Sequence, residues 1–243
     1  TVDCGATNAN DLSTWLSNHG GATATDACGP LTWTNDYNTT STVVSYSYTT
    51  ESTVQQVTPT YAFGTFPVDS DLSNSDDDYT EVALPFTFTF YGRDYDVIDI
   101  STNGSISFDA EWGDDYDALP FDEYCTDMVL GAHTDLDPEA SDLTEISYGV
   151  VGSAPNRAYV ISWHVVPNYE FNDITHDFQI VLYEGTNEVE IFNAGHPNLG
   201  DYNMTVGIAS EDCEGMGPYE SSSDAWYGGK WTFSSDESNG YTM

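Results

Sequence analysis

Two-residue alternation governs the middle of this chain and restricts what it can fold into. In LPFTFTFYG (Leu84 to Gly92), Phe86, Phe88 and Phe90 alternate with threonines. Successive side chains on a strand leave opposite faces, so this run has one apolar face and one that water can wet. The same grammar returns in VIDISTNGSISF, EISYGVV, RAYVISWHVV, DFQIVLYE, EVEIFNAG and MTVGIAS, each bounded by Gly, Pro or Asn. Asn103-Gly104 is a tight-turn signal between two of these runs. Many short strands at hairpin spacing predict an all-β, antiparallel β-sandwich.

The stretch HDFQIVLYEGTNEVEIFNAG (His176 to Gly195) shows how far the pattern goes. It reads as two strands about a Gly-Thr-Asn turn. Phe178, Ile180 and Leu182 share a face, as do Val189 and Ile191, and no polar residue interrupts it, so that face is core. The opposite face sets Gln179, Val181 and Tyr183 against Glu188, Glu190 and Phe192, a mixed outer or packing surface.

Four regions follow. Residues 1–36 are expected to form a small disulfide-closed N-terminal segment with one short helix: Asn10 or Asp11 can cap it, Leu12, Trp15 and Leu16 share a face, and Gly20 can stop it. That piece is too small for a core of its own. Residues 37–60, rich in Thr, Ser, Val and Tyr, read as a strand or linker with Val44, Tyr46 and Tyr48 on one side. The sandwich takes residues 61–233, and 234–243 read as a flexible tail.

Charge narrows the function. Against 41 acidic residues stand only Arg93, Arg157 and Lys230, a formal charge of −38. Phosphate contacts need Lys and Arg, which argues against nucleic acid and anionic membrane as partners. No run approaches the ~20 apolar residues of a membrane span. Most carboxylates have no possible salt-bridge partner, so screening by salt, bound cations or a wet acidic surface must carry them. With one lysine, isopeptide reinforcement is nearly closed. Cys4, Cys28, Cys125 and Cys213 carry no zinc-type spacing and read as two disulfides of an oxidising compartment; three connectivities are open, Cys4–Cys28 with Cys125–Cys213 among them. The chain starts at Thr1, and is read as a processed product or a piece of a longer secreted protein.

Catalytic motifs are absent: no GxSxG, SxxK or HExxH occurs. Glu188 and Glu190, at i and i+2, leave the same sheet face and could form a retaining glycosidase pair, but the core side of that strand is Val189 and Ile191, which puts both glutamates in solvent. His133, near Asp135 and Asp137, is the best histidine candidate, with a polar loop role the plainer reading. Calcium is the sharper alternative. Asp135 and Asp137, beside Pro138, are the first choice of ligands. Asp69 and Asp71 have the opening spacing of an EF-hand loop but lack its later Gly and Glu. Asp76, Asp77 and Asp78 form a further acidic run among the calcium candidates, with a solvated loop the plainer reading. Sequons start at Asn38, Asn103 and Asn203; Asn103 is taken by its turn, which leaves Asn38 and Asn203 as sugar sites.

In this order, LPFTFTFYG, ISTNGSISF, GSAPNRAYVISWHVV and FQIVLYEGTNEVEIF resemble the nidogen-like β-sandwich module of large bacterial surface proteins, over about Phe63 to Ser210. Separately, WLSNHGGATATDACGPLTWTND resembles part of a hyaline-repeat-type immunoglobulin-like module. The resemblance implies an extracellular, non-enzymatic module of adhesion, matrix or appendage building, and carries over no catalytic residue. An orphan strand and an incomplete module then suggest β-strand addition between copies through Val44, Tyr46 and Tyr48, giving a fibre or pilus-like surface appendage. The competing expectation is a calcium-dependent adhesin domain that grips a peptide or glycan.

Overall fold

Alternation becomes two antiparallel sheets laid face to face. The computed structural model describes residues 46–50, 58–108, 126–196, 204–211, 215–219 and 226–235, all within the unit Val44–Glu237. In chain order the strands are β1 (Tyr46–Thr50), β2 (Tyr79–Phe90), β3 (Arg93–Ser101), β4 (Ser105–Ser107), β5 (Met128–His133) and β6 (Glu145–Ser153). They continue as β7 (Asn156–Pro167), β8 (Thr175–Tyr183), β9 (Val189–His196), β10 (Thr205–Ala209), β11 (Gly215–Tyr219) and β12 (Trp226–Ser235). One sheet runs β1-β12-β9-β8-β7-β6 and the other β11-β10-β5-β4-β3-β2. Among the described residues, the helices are two 3₁₀ turns, Leu72–Asn74 and Pro138–Ala140.

The predicted core face is the core. Phe178, Ile180, Leu182, Val189 and Ile191 are all completely buried, as are Phe88 and Phe90 from the facing sheet. Each contributes about 1.5–3 kcal/mol by leaving water. Trp163 crosses between the layers: its ring stacks on Phe178 at 4.8 Å, and its indole N–H donates to the Ser101 carbonyl at 3.0 Å. A buried tryptophan needs such a partner. The hairpin turn is closed by Asn187 N–H donating to the Tyr183 carbonyl at 3.1 Å.

The opposite face of that hairpin corrects the solvent expectation for Glu190. Residues 58–67 lie over it as a strap. Tyr61 and Phe66 pack on Ala158, Val160 and Val181, while Phe63 stacks on His164 at 4.6 Å. Gln179 is fully buried and its amide donates to the Tyr61 carbonyl and to Ser162, each at 2.9 Å. Glu190, only 7% exposed, accepts from the Thr60 hydroxyl and, at 3.4 Å, from the Tyr183 phenol. A buried carboxylate demands donors, and the strap supplies one.

The strand expected to add to a neighbouring copy has a place within its own chain. β1 pairs antiparallel with β12 of its own chain, with Tyr46 opposite Ser235 and Tyr48 opposite Phe233. The edge of β12 offers a complete ladder to a Thr/Tyr-rich segment of the same molecule, and that segment takes it. Val44, Asn38, Asn203, all four cysteines and the expected N-terminal helix lie outside the described residues.

Candidate metal centre

At one end of the sandwich, the turn between β3 and β4 gathers two acidic loops. Asn103 sits in this turn and is completely buried. Its amide nitrogen donates to Asp77 Oδ1, and its amide oxygen accepts from Leu136 N–H, both at 2.9 Å. Asn103 therefore joins the 69–78 loop to the 134–144 loop. Its neighbour Thr102 fixes the first loop further: the hydroxyl lies 3.0 Å from the carbonyl oxygens of Asp76 and Asp78 and accepts from Asp78 N–H at 3.0 Å. Gly104 is required here. Its φ is +82° and an added Cβ would stand 2.6 Å from the Ala132 carbonyl oxygen, space that only glycine leaves free.

The result is a convergence of carboxylates. One oxygen from each of Asp76, Asp77 and Asp135 lies within 4.8 Å of the other two. That span is twice a calcium–oxygen bond of about 2.4 Å, so a single hard cation between them can touch all three. Asp76 Oδ1 is buried and has no hydrogen-bond partner among the described residues. Its carboxyl is pushed up to about 6, first by burial and then by the charges of Asp77, Asp137 and Glu139. A cation would relieve both causes. Two of the chain's few cationic side chains are committed elsewhere, Arg93 to Asp127 and Glu211, and Arg157 to Glu184. The donor set fits calcium: all oxygen, all hard, on loops that leave further positions for water.

The expected ligands divide. Asp135 belongs to the cluster. Its carbonyl is also pinned by Tyr169 N–H and the Asn168 amide, both at 3.1 Å. Asp137 does not join the three; its side chain caps the second 3₁₀ turn by accepting from Ala140 N–H at 3.1 Å, although its charge reaches Asp76. Asp69 is also occupied by local bonds. One of its oxygens accepts from Asp71 N–H and Leu72 N–H, and the other from Tyr148 OH at 2.8 Å. Burial, followed by this bond, raises the Tyr148 phenol to about 12. Asp71 is exposed and stands outside the cluster.

Asp76 and Asp77, for which a solvated loop was the plainer expectation, belong to the cluster, and Asn103, expected to serve only its turn, organises it. The signal for the former was the acidic run itself; nothing local linked it to Asp135, a long way along the chain. His133 is a buried β5 residue rather than a loop residue. Glu188 accepts from the Ser234 hydroxyl at 3.0 Å, so both carboxylates of the proposed glycosidase pair have structural partners.

A family model described as NIDO related matches residues 36–239. No curated protein and no solved structure matches the chain. The match spans most of the sequence, both sheets included: this chain belongs to the nidogen-related family.

Proposed function

We infer that this chain is a non-enzymatic, extracellular module of surface adhesion or assembly, in which calcium held by Asp76, Asp77 and Asp135 locks the loops at one end of a rigid sandwich. The observation that carries this reading is the convergence of those three carboxylates within 4.8 Å, organised by a buried asparagine that bonds both loops. A cation there ties the 69–78 and 134–144 loops together and presets the surface they present. The sealing of Glu190 beneath the strap supports the non-enzymatic side, since a reacting sugar would need that carboxylate open.

The test is a calcium titration by calorimetry paired with melting curves. Calcium at about a hundred times its Kd should stabilise by about 2.7 kcal/mol, which raises Tm by roughly 5–10 °C for a domain of this size. Asp135→Asn should abolish most of that rise. An unchanged melting curve with and without calcium removes the metal from the reading.

Self-assembly is the second reading, and the position of β1 favours it. Among the described residues β1 is an edge strand paired only with β12, so the same strand from another copy could form the same ladder, and open exchange would propagate a fibre. Negative-stain images of the 243-residue chain and of a version lacking residues 1–58 separate the cases: fibres from the 243-residue chain only are expected if β1 is exchanged. Fibres from both would exclude it.

A further inference from the structure

Beside the metal centre stands a loop built for contact. Residues 168–174 join β7 to β8 and expose Tyr169 by 52% and Phe171 by 43%. The loop is tied at its base: Asn168 N–H donates to the Ile174 carbonyl at 3.0 Å and Ile174 N–H to the Phe171 carbonyl at 2.8 Å. Asn168 itself, 1% exposed, accepts from Phe171 N–H at 3.1 Å while its amide donates to the Asp135 carbonyl at 3.1 Å. A loop whose half-buried hydrogen bonds hold two partly exposed aromatic rings in place has already lost much of the entropy that binding would otherwise cost. The 134–144 loop bonds to this one through Asp135 and carries Leu143, 70% exposed; the exposed acids Asp142, Glu170 and Asp173 neighbour these apolar residues in sequence.

We propose that this end of the sandwich docks a cationic, partly apolar segment of another protein. Charge complementarity selects the occupant. Among the described residues, no ion pair reaches these exposed acids, and the same acidic end of a second copy would meet its own sign. Lysine or arginine side chains satisfy the rim and can lie over the Tyr169 and Phe171 rings, while an aliphatic neighbour covers the apolar surface. The inference rests on the adhesion reading and names its partner's chemistry; because the loop's base bonds to the Asp135 backbone, calcium should sharpen the surface without being its ligand.

The probe is a short synthetic peptide alternating lysine and leucine, measured by fluorescence anisotropy on the full chain at fixed salt. Tyr169→Ala with Phe171→Ala, which changes no charge, should weaken binding by about tenfold or more, as central aromatic anchors do. Asn168→Ala should weaken it less while leaving both rings present. Tyr79→Ala with Val97→Ala, exposed apolar residues on other strands, should have no effect. Equal affinity across all variants would mean a diffuse acidic surface and overturn the proposal. So would equal binding of a glutamate–leucine peptide or of a neutral oligosaccharide, or self-association of the wild type that the double variant abolishes. A calcium titration of that double variant keeps the two ideas apart: wild-type calcium affinity with lost peptide binding supports the docking loop alone, and loss of calcium binding in Asp135→Asn is read independently of it.

Discussion

Single residues at the candidate metal centre have measurable tasks. Asn103 answers two loops at once, and cutting it to alanine leaves Leu136 N–H buried without its acceptor. Such an orphan costs about 1–3 kcal/mol, so Asn103→Ala should lower stability by that much, by chemical denaturation, and weaken calcium binding as well. Asp76 sets a pH dependence with a defined sign. Its carboxyl is raised to about 6 from the ordinary 3.8, so over that window the folded state holds a proton that the unfolded chain releases. Stability from this group is present at low pH and lost as pH rises through about 6. In chelator, Asp76→Asn should therefore melt above the wild type at neutral pH, with the gap closing as pH falls below 5. In saturating calcium the order should reverse, because the wild type alone keeps its full ligand set. An identical gap at every pH and calcium level would show that Asp76 carries neither burden.

At the scale of elements, the strap and the loops explain why the outer surfaces differ from their alternation pattern. β6 contains Gly149, and a Cβ built there would meet the Phe66 ring at 2.3 Å. Gly149→Ala should lever Phe66 off the sheet, loosen residues 58–67 and speed amide exchange at Gln179 and Glu190, whose partners the strap supplies. Unchanged exchange with unchanged melting would mean that the strap adapts around the methyl group. β1 belongs to the same argument. A short strand completes the sheet because the β12 edge is there to be paired, and whether that pairing stays within one molecule is a matter of concentration and linker as much as of sequence.

The whole molecule carries its charge unevenly supported. With 41 acids against three bases, self-repulsion opposes the compact state wherever ions do not screen it. Raising salt from about 0.01 M to about 0.15 M shortens the screening length from about 30 Å to about 8 Å, so Tm should climb across that range in chelator. The climb should be smaller with calcium bound, since the most crowded acids are then neutralised. A flat salt profile would say that the carboxylates are already spaced far enough apart to ignore one another.

What the sequence alone determined was the sandwich. Period two in LPFTFTFYG and DFQIVLYE dictates which side chains are buried, because a strand has only two faces and water accepts only one of them. The bonds of two aspartates, too, are local: Asp69 and Asp137 bond to N–H groups within three residues, though their chemistry in isolation looked like that of ligands. What only the tertiary structure decided is what covers the second face and which acids meet. Glu190 is buried because a segment far away in the chain, at Thr60, crosses it, and Asp135 meets Asp76 and Asp77 because a turn at Asn103 holds both loops. Alternation says which way a side chain points. It says nothing about what arrives from the rest of the chain to meet it, and carboxylates repel unless something is built to bring them together.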